Sequence, residues 1–244
     1  MQTHRFLLGL ALACFSFVSI FTTHAGPTDN IPQSLNVKGG FVVHLGCGDG
    51  TLTLTLRPNG RFQVHGLDAD PANVSKARAT VRKAGVYGPV SIDRLAGNRL
   101  PYIDGMVNLL VAENLGDVPM TEVTRVLAPK GVAYLKQDGE WKTTVKPRPK
   151  EIDDWTHYLH DAGGNAVAHD TVVGPPRHLQ WLGSPRWSRH HDRMASMSAL
   201  VSANGRVIYV MDEGSRVSIQ LPARWTLVAR DAFNGVILWK KPMK

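Results

Sequence analysis

The chain has 244 residues, 43% of them hydrophobic and 20% charged, with a formal net charge of +8. That composition excludes a collagen-like or wholly disordered protein and leaves room for one large domain or two small ones. The bases are spread thinly (+1 in the leader, +2 over residues 26–139, +5 over 140–244), with no basic run, so the excess reads as solvated surface and no nucleic-acid partner is expected.

Met1–Arg5 is short and ends in a base, Phe6–Phe21 is an apolar run, and Thr23-His24-Ala25 precedes Gly26. This is the pattern of a secretory signal over residues 1–25, followed by a linker over 26–38. The run is short for a membrane span, so the expectation is an exported, periplasmic or secreted protein; an uncleaved, membrane-anchored form is the alternative. Cleavage after Ala25 leaves Cys47 as the one cysteine, which excludes an internal disulfide or a multi-cysteine zinc site.

Over residues 39–140 short apolar runs alternate with helical stretches. Strands are predicted at Phe41–Leu45, Phe62–Leu67, Val90–Leu95, Met106–Ala112 and Val132–Leu135. Asp70 can cap a helix with Pro71 at its first turn and Val74, Ala77, Val81 and Ala84 on one face; a shorter helix covers Thr121–Leu127. Such alternation implies an α/β, Rossmann-like parallel sheet. Thr51–Leu56 alternates with period two, which alone says strand, but the first crossover requires a helix there.

The chemistry-bearing feature is Gly46-Cys47-Gly48-Asp49-Gly50, directly after the first strand. Glycines let a ligand approach the backbone, and free amides would favour a polar or anionic group. Asp68 ends the second strand, where a carboxylate can accept ribose hydroxyls; Thr51 in place of a third spaced glycine disfavours a dinucleotide.

VVHLGCGDG, HGLDADPANVSKAR, RLPYIDGMVNLLVAENL and EVTRVLAPKGVAYL together resemble a class I S-adenosylmethionine-dependent methyltransferase domain. The resemblance implies S-adenosylmethionine as cofactor. Gly46, Gly48 and Gly50, with Cys47 among them, would line its methionyl part. Asp68, with Ala69 beside it, would hold the ribose, and Glu113 and Asn114 would face cofactor and an unknown methyl acceptor. The sequence departs from the family pattern at His44 and Asn108, where acids are usual, and no acid follows strand three near Gly97 and Asn98. Sixth and seventh strands are not evident after Leu135.

Beyond residue 140 the composition changes: all six tryptophans and six of the ten histidines lie there. Residues 141–185 read as a His/Trp-rich linker, basic and proline-containing over Trp141–Pro149. In 186–244, Ser198–Ala203 and Arg206–Met211 flank Asn204-Gly205, and Thr226–Arg230 and Val236–Trp239 flank a turn with Asn234-Gly235, which predicts antiparallel hairpins. Ala229–Trp239 has the spacing A-x-D-x-x-x-G-x-x-x-W and resembles the repeat of pyrroloquinoline-quinone-type β-propellers, with Trp239 packing on a neighbouring blade. One blade cannot close a propeller, so the remainder is expected in cis, and a quinone only with that remainder. His157 and His160, with Asp161 nearby, would share a helix face, but without further ligands at fixed spacing no metal is assigned. The alternative to an enzyme is a catalytically degenerate Rossmann scaffold in a periplasmic propeller protein, a quinoprotein oxidoreductase when full length.

Overall fold

The computed structural model describes residues 30–172, 179–185, 189, 197–218 and 220–243. The signal segment, His178, Trp187, His190 and His191 lie outside the described residues.

Two sheets organise the chain. The first has six strands in the order β3-β2-β1-β4-β5-β6: β1 (Gly40–Leu45), β2 (Phe62–Asp68), β3 (Val90–Arg94), β4 (Val107–Ala112), β5 (Leu127–Gln137) and β6 (Glu140–Val145). The first five are parallel and β6 is antiparallel to β5. The helices are α1 (Ile31–Ser34), α2 (Thr51–Thr55), α3 (Pro71–Lys83) and α4 (Met120–Val126).

Every residue of β1 is buried, as a central parallel strand covered on both faces demands. Its alternation divides the core. Phe41, Val43 and Leu45 join a cluster with Leu110, Val123 and Val126, while Val42 joins Val64, Ala77, Val81, Ile92 and Ile31 on the other face. Asp70 caps α3 as expected, its carboxylate accepting from Ala72 N at 2.8 Å. The period-two stretch is indeed helical: the parallel β1–β2 register requires a crossover there, and Thr53 and Leu56 are buried beneath it.

The segment expected to open a linker behaves differently. Asp138-Gly139, with φ of 55° and 84°, makes a two-residue hairpin, and Trp141–Val145 continues as β6. Trp141 stacks on Tyr134 with ring centroids 4.6 Å apart. A sixth strand therefore does follow Leu135.

The second sheet is an antiparallel meander in the order β10-β9-β8-β7: β7 (Met197–Ala203), β8 (Arg206–Asp212), β9 (Trp225–Asp231) and β10 (Ile237–Pro242). Asn204 and Gly205 both have positive φ in the β7–β8 turn, but in the β9–β10 turn only Gly235 does. There the Asp231 carboxylate replaces the tight hairpin, accepting from Phe233 N and Asn234 N, and the Trp181 ring lies across Gly235, where a Cβ would sit 2.3 Å from it.

That turn seats against the N-terminal ends of β1 and β4. Asn108 Oδ1 accepts from Phe41 N at 2.7 Å and from Asn234 Nδ2 at 2.6 Å, while Asn108 Nδ2 donates to Asp231 Oδ2 at 2.8 Å. Gly40 must be glycine beneath it, since its φ is +108° and a Cβ would lie 2.0 Å from Asn108 Oδ1.

Candidate functional site

The opposite, C-terminal edge of the parallel sheet carries the glycine turn, where ligands of open α/β sheets characteristically bind. Gly46 N and Cys47 N both donate to Leu67 O, so the turn is tied across to β2 as it leaves β1. Gly48, at φ +55°, donates its N–H to Asp68 Oδ2 at 2.9 Å. The amide expected to be free at this turn is therefore used to hold the acid in place. The other Asp68 oxygen accepts from Asp70 N at 2.9 Å and Asn73 Nδ2 at 3.3 Å. An ionised carboxylate has about four acceptor positions, so one is left for a ligand.

The remaining predicted residues divide. A Cβ built on Gly48 meets nothing within 4 Å, and one on Gly46 meets only Asn114 O at 3.8 Å, so the turn fronts open space beside the end of β4. Gly50 is needed for packing instead, because a Cβ there would sit 3.0 Å from Ala77; its absence lets α3 close on the turn. Cys47 points inward, buried against Gly66, and burial pushes its thiol up to about 12. Its side chain is core, and only its backbone belongs to the site. Ala69 and Asn114 are exposed, and Asn114 Oδ1 accepts from Gly116 N. Glu113 is also exposed and lies 3.3 Å from Lys136 Nζ.

His44, where the family pattern has an acid, is buried beneath the turn. Its Nδ1 lies 2.8 Å from Thr53 Oγ1, and Nε2 has no hydrogen-bond partner among the described residues. Burial lowers its pKa to about 4, against the pull of Glu113 and Asp68, so the ring is neutral at physiological pH. Asn73 is the residue that sequence reasoning passed over. It stands in the first turn of α3, and nothing local marks it as a partner of Asp68.

His157 and His160 do not share a helix face. They form an antiparallel bridge, His157 Nδ1 lies 2.9 Å from Thr156 Oγ1, and His160 is buried beside Asp153.

Residues 42–131 match the sequence family described as "Methyltransferase domain". Over 119 residues the chain is 32% identical to the ribosomal protein L11 methyltransferase of Anoxybacillus flavithermus, covering 48% of this chain and 36% of that protein. It thus spans about a third of the length of that relative. Among solved structures it is similar to the YcgJ protein of Bacillus subtilis (23% identity, 42% of this chain and 49% of that one, TM-score 0.36). It is also similar to geranyl diphosphate C-methyltransferase of Streptomyces coelicolor (18% identity, 40% and 39%, TM-score 0.37). The stretch 42–131, which holds the glycine turn and four of the five parallel strands with the start of the fifth, is thus similar to a methyltransferase domain.

Proposed function

We propose that the protein is an exported methyltransferase whose glycine turn binds S-adenosylmethionine. The observation that carries this reading is the pairing of Gly48 with Asp68: a fixed carboxylate at the end of β2 beside a turn whose side-chain positions stand open. The residues fit the cofactor, because a Cβ at Gly48 would occupy the space the ligand needs. Asp68 would hold the ribose, Gly46 and Gly48 the methionyl part, and Glu113 and Asn114 the acceptor side. The sulfonium supplies an electrophilic methyl that an acceptor lone pair displaces in line. The chain's own part is to orient the two reactants, and no protein nucleophile is required.

Export rests on the residue pattern of the first 25 residues. The second sheet reads as one blade of a quinoprotein-like propeller. A four-stranded meander is a blade's shape, and among the described residues this one buries a small apolar cluster around Tyr209, Met211 and Val228, as a unit that stacks on neighbours would. Pyrroloquinoline quinone would enter only with further blades. The scaffold reading is favoured by one fact: protein donors already fill most of Asp68.

Calorimetric titration of the chain with S-adenosylhomocysteine separates the two. Micromolar binding, about −8 kcal/mol, is expected. Asp68→Ala should abolish it, with the unfolding midpoint recorded alongside. Gly48→Ala breaks no contact and costs roughly 1–2 kcal/mol of left-handed strain, yet should weaken binding at least tenfold. A folded chain that binds nothing would establish the scaffold reading.

A further inference from the structure

The stretch between the two sheets gathers three metal-ligating groups that the methyltransferase reading does not use. Asp153, His160 and His169 each offer one ligand atom, and these atoms all lie within 4.8 Å of one another. His160 Nε2 is 2.7 Å from Asp153 Oδ2, and His169 Nδ1 is 3.9 Å from the same oxygen.

The backbone is arranged to bring them together. His169 N donates to Asp153 Oδ2 at 2.8 Å, and Thr171 N to Glu151 O, which folds the far end of the loop onto its start. His160 takes a left-handed φ of +68°, uncommon for a residue with a side chain, while its carbonyl accepts from Thr156 N and His157 N. The His160 ring is buried, set edge-on to Trp155 and to His169. Its second nitrogen, Nδ1, has the Asp161 carboxylate 3.5 Å away, the place where metal-bound imidazoles keep an orienting acid. The His169 side chain is 74% exposed and leaves one side of the cluster open to solvent.

We propose that Asp153, His160 and His169 form a binding site for a divalent first-row transition ion, zinc in the first instance. Two imidazoles and one carboxylate suit such an ion, whereas magnesium and calcium prefer all-oxygen shells. Tetrahedral bonds of about 2.0–2.1 Å need donors roughly 3.3 Å apart. The observed separations, from 2.7 Å to at most 4.8 Å, bracket that spacing. Binding takes the place of the hydrogen bond between His160 Nε2 and Asp153: the ring proton passes through solvent to Nδ1, where the Asp161 carboxylate stands to accept its hydrogen bond, and water completes the shell. The consequence is structural: the ion would close a long loop, with no helix among its described residues, onto its own start beside Asp154 and Trp155, which hydrogen-bond Asn204 and Ser202.

The test is titration of the chelator-stripped full chain with Zn²⁺, and separately with Fe²⁺ under anaerobic conditions. Stoichiometry, thermal shift and Trp fluorescence are read together. One equivalent of Zn²⁺ with a raised unfolding midpoint is expected. His169→Ala, at an exposed position, should keep the fold and weaken binding by at least a hundredfold, while His157→Ala, outside the donor set, should bind as the parent does. A preference for Fe²⁺ would keep the site and change the ion. Failure of the folded parent to bind either ion, or undiminished binding by His169→Ala, would overturn the proposal and leave the His160–Asp153 bond as a plain latch.

Discussion

Replacing Asn108 with the aspartate usual in the family pattern should loosen the joint between the sheets in a pH-dependent way. Asn108 Nδ2 donates to the Asp231 carboxylate at 2.8 Å, and Asp231 is buried, which pushes its own pKa upward. Asn108→Asp keeps the shape and the acceptor for Phe41 N, but sets carboxylate against carboxylate. With both ionised, the repulsion at that separation is about 6 kcal/mol for an effective dielectric of 20. Taking up one proton at pH 7 is cheaper, about 4 kcal/mol for a carboxyl of ordinary pKa near 4, and the protonated group can again donate. The folded state then holds a proton that the unfolded chain lacks, so the shared carboxyl pKa is raised on folding. The variant's deficit must therefore grow as pH rises from about 4 to 7, by about 1.4 kcal/mol per unit. Urea unfolding of parent and variant at pH 5 and pH 7 measures it: deficits of about 1.5 and 4 kcal/mol are expected. Asn108→Ala should instead lose about 1–3 kcal/mol at either pH. An Asn108→Asp deficit that is absent, or equal at both pH values, would refute the carboxylate contact.

Two further outcomes follow from buried groups near the glycine turn. His44 is neutral when folded, with its pKa lowered to about 4 by burial, and titrates near 6.5 when unfolded. The unfolded state therefore binds the extra proton, and stability should fall by about 3 kcal/mol as pH drops from 6.5 to 4. His44→Gln should flatten that part of the parent's stability–pH curve, and an unchanged slope would place the acid sensitivity elsewhere. Cys47, with its thiol raised to about 12, should react with a thiol reagent at pH 8 roughly a thousandfold more slowly than a free thiol. Labelling should reach the free-thiol rate once urea unfolds the chain; fast labelling of the folded protein would mean that the side chain faces the cleft after all.

The sequence was most informative where local pattern and topology agree. The five parallel strands, the α3 cap and the placing of Gly48 beside Asp68 follow from apolar runs, a capping dipeptide and a turn after a strand. It was least informative where a partner lies far along the chain or where a face is not buried. Strand β6 carries the Asp-Gly signal at its start, but it is an edge strand of Glu140, Lys142 and threonines with little burial, so no apolar alternation advertises it. Cys47 sits among glycines, and its inward-facing thiol packs against Gly66, a neighbour on the next strand that the local sequence does not reveal. The two departures from the family pattern have separate physical reasons. His44 faces α2, where the hydroxyl of Thr53 meets a neutral imidazole in a dry setting. Asn108 faces the second sheet, and its amide gives the buried Asp231 carboxylate a donor from the first sheet. An amide at Asn108 suits the acidic turn seated beneath it, because a carboxylate there would face the Asp231 carboxylate. Asn108 lies at the edge of the sheet away from the glycine turn, so this departure from the pattern leaves the contact between Gly48 and Asp68 untouched.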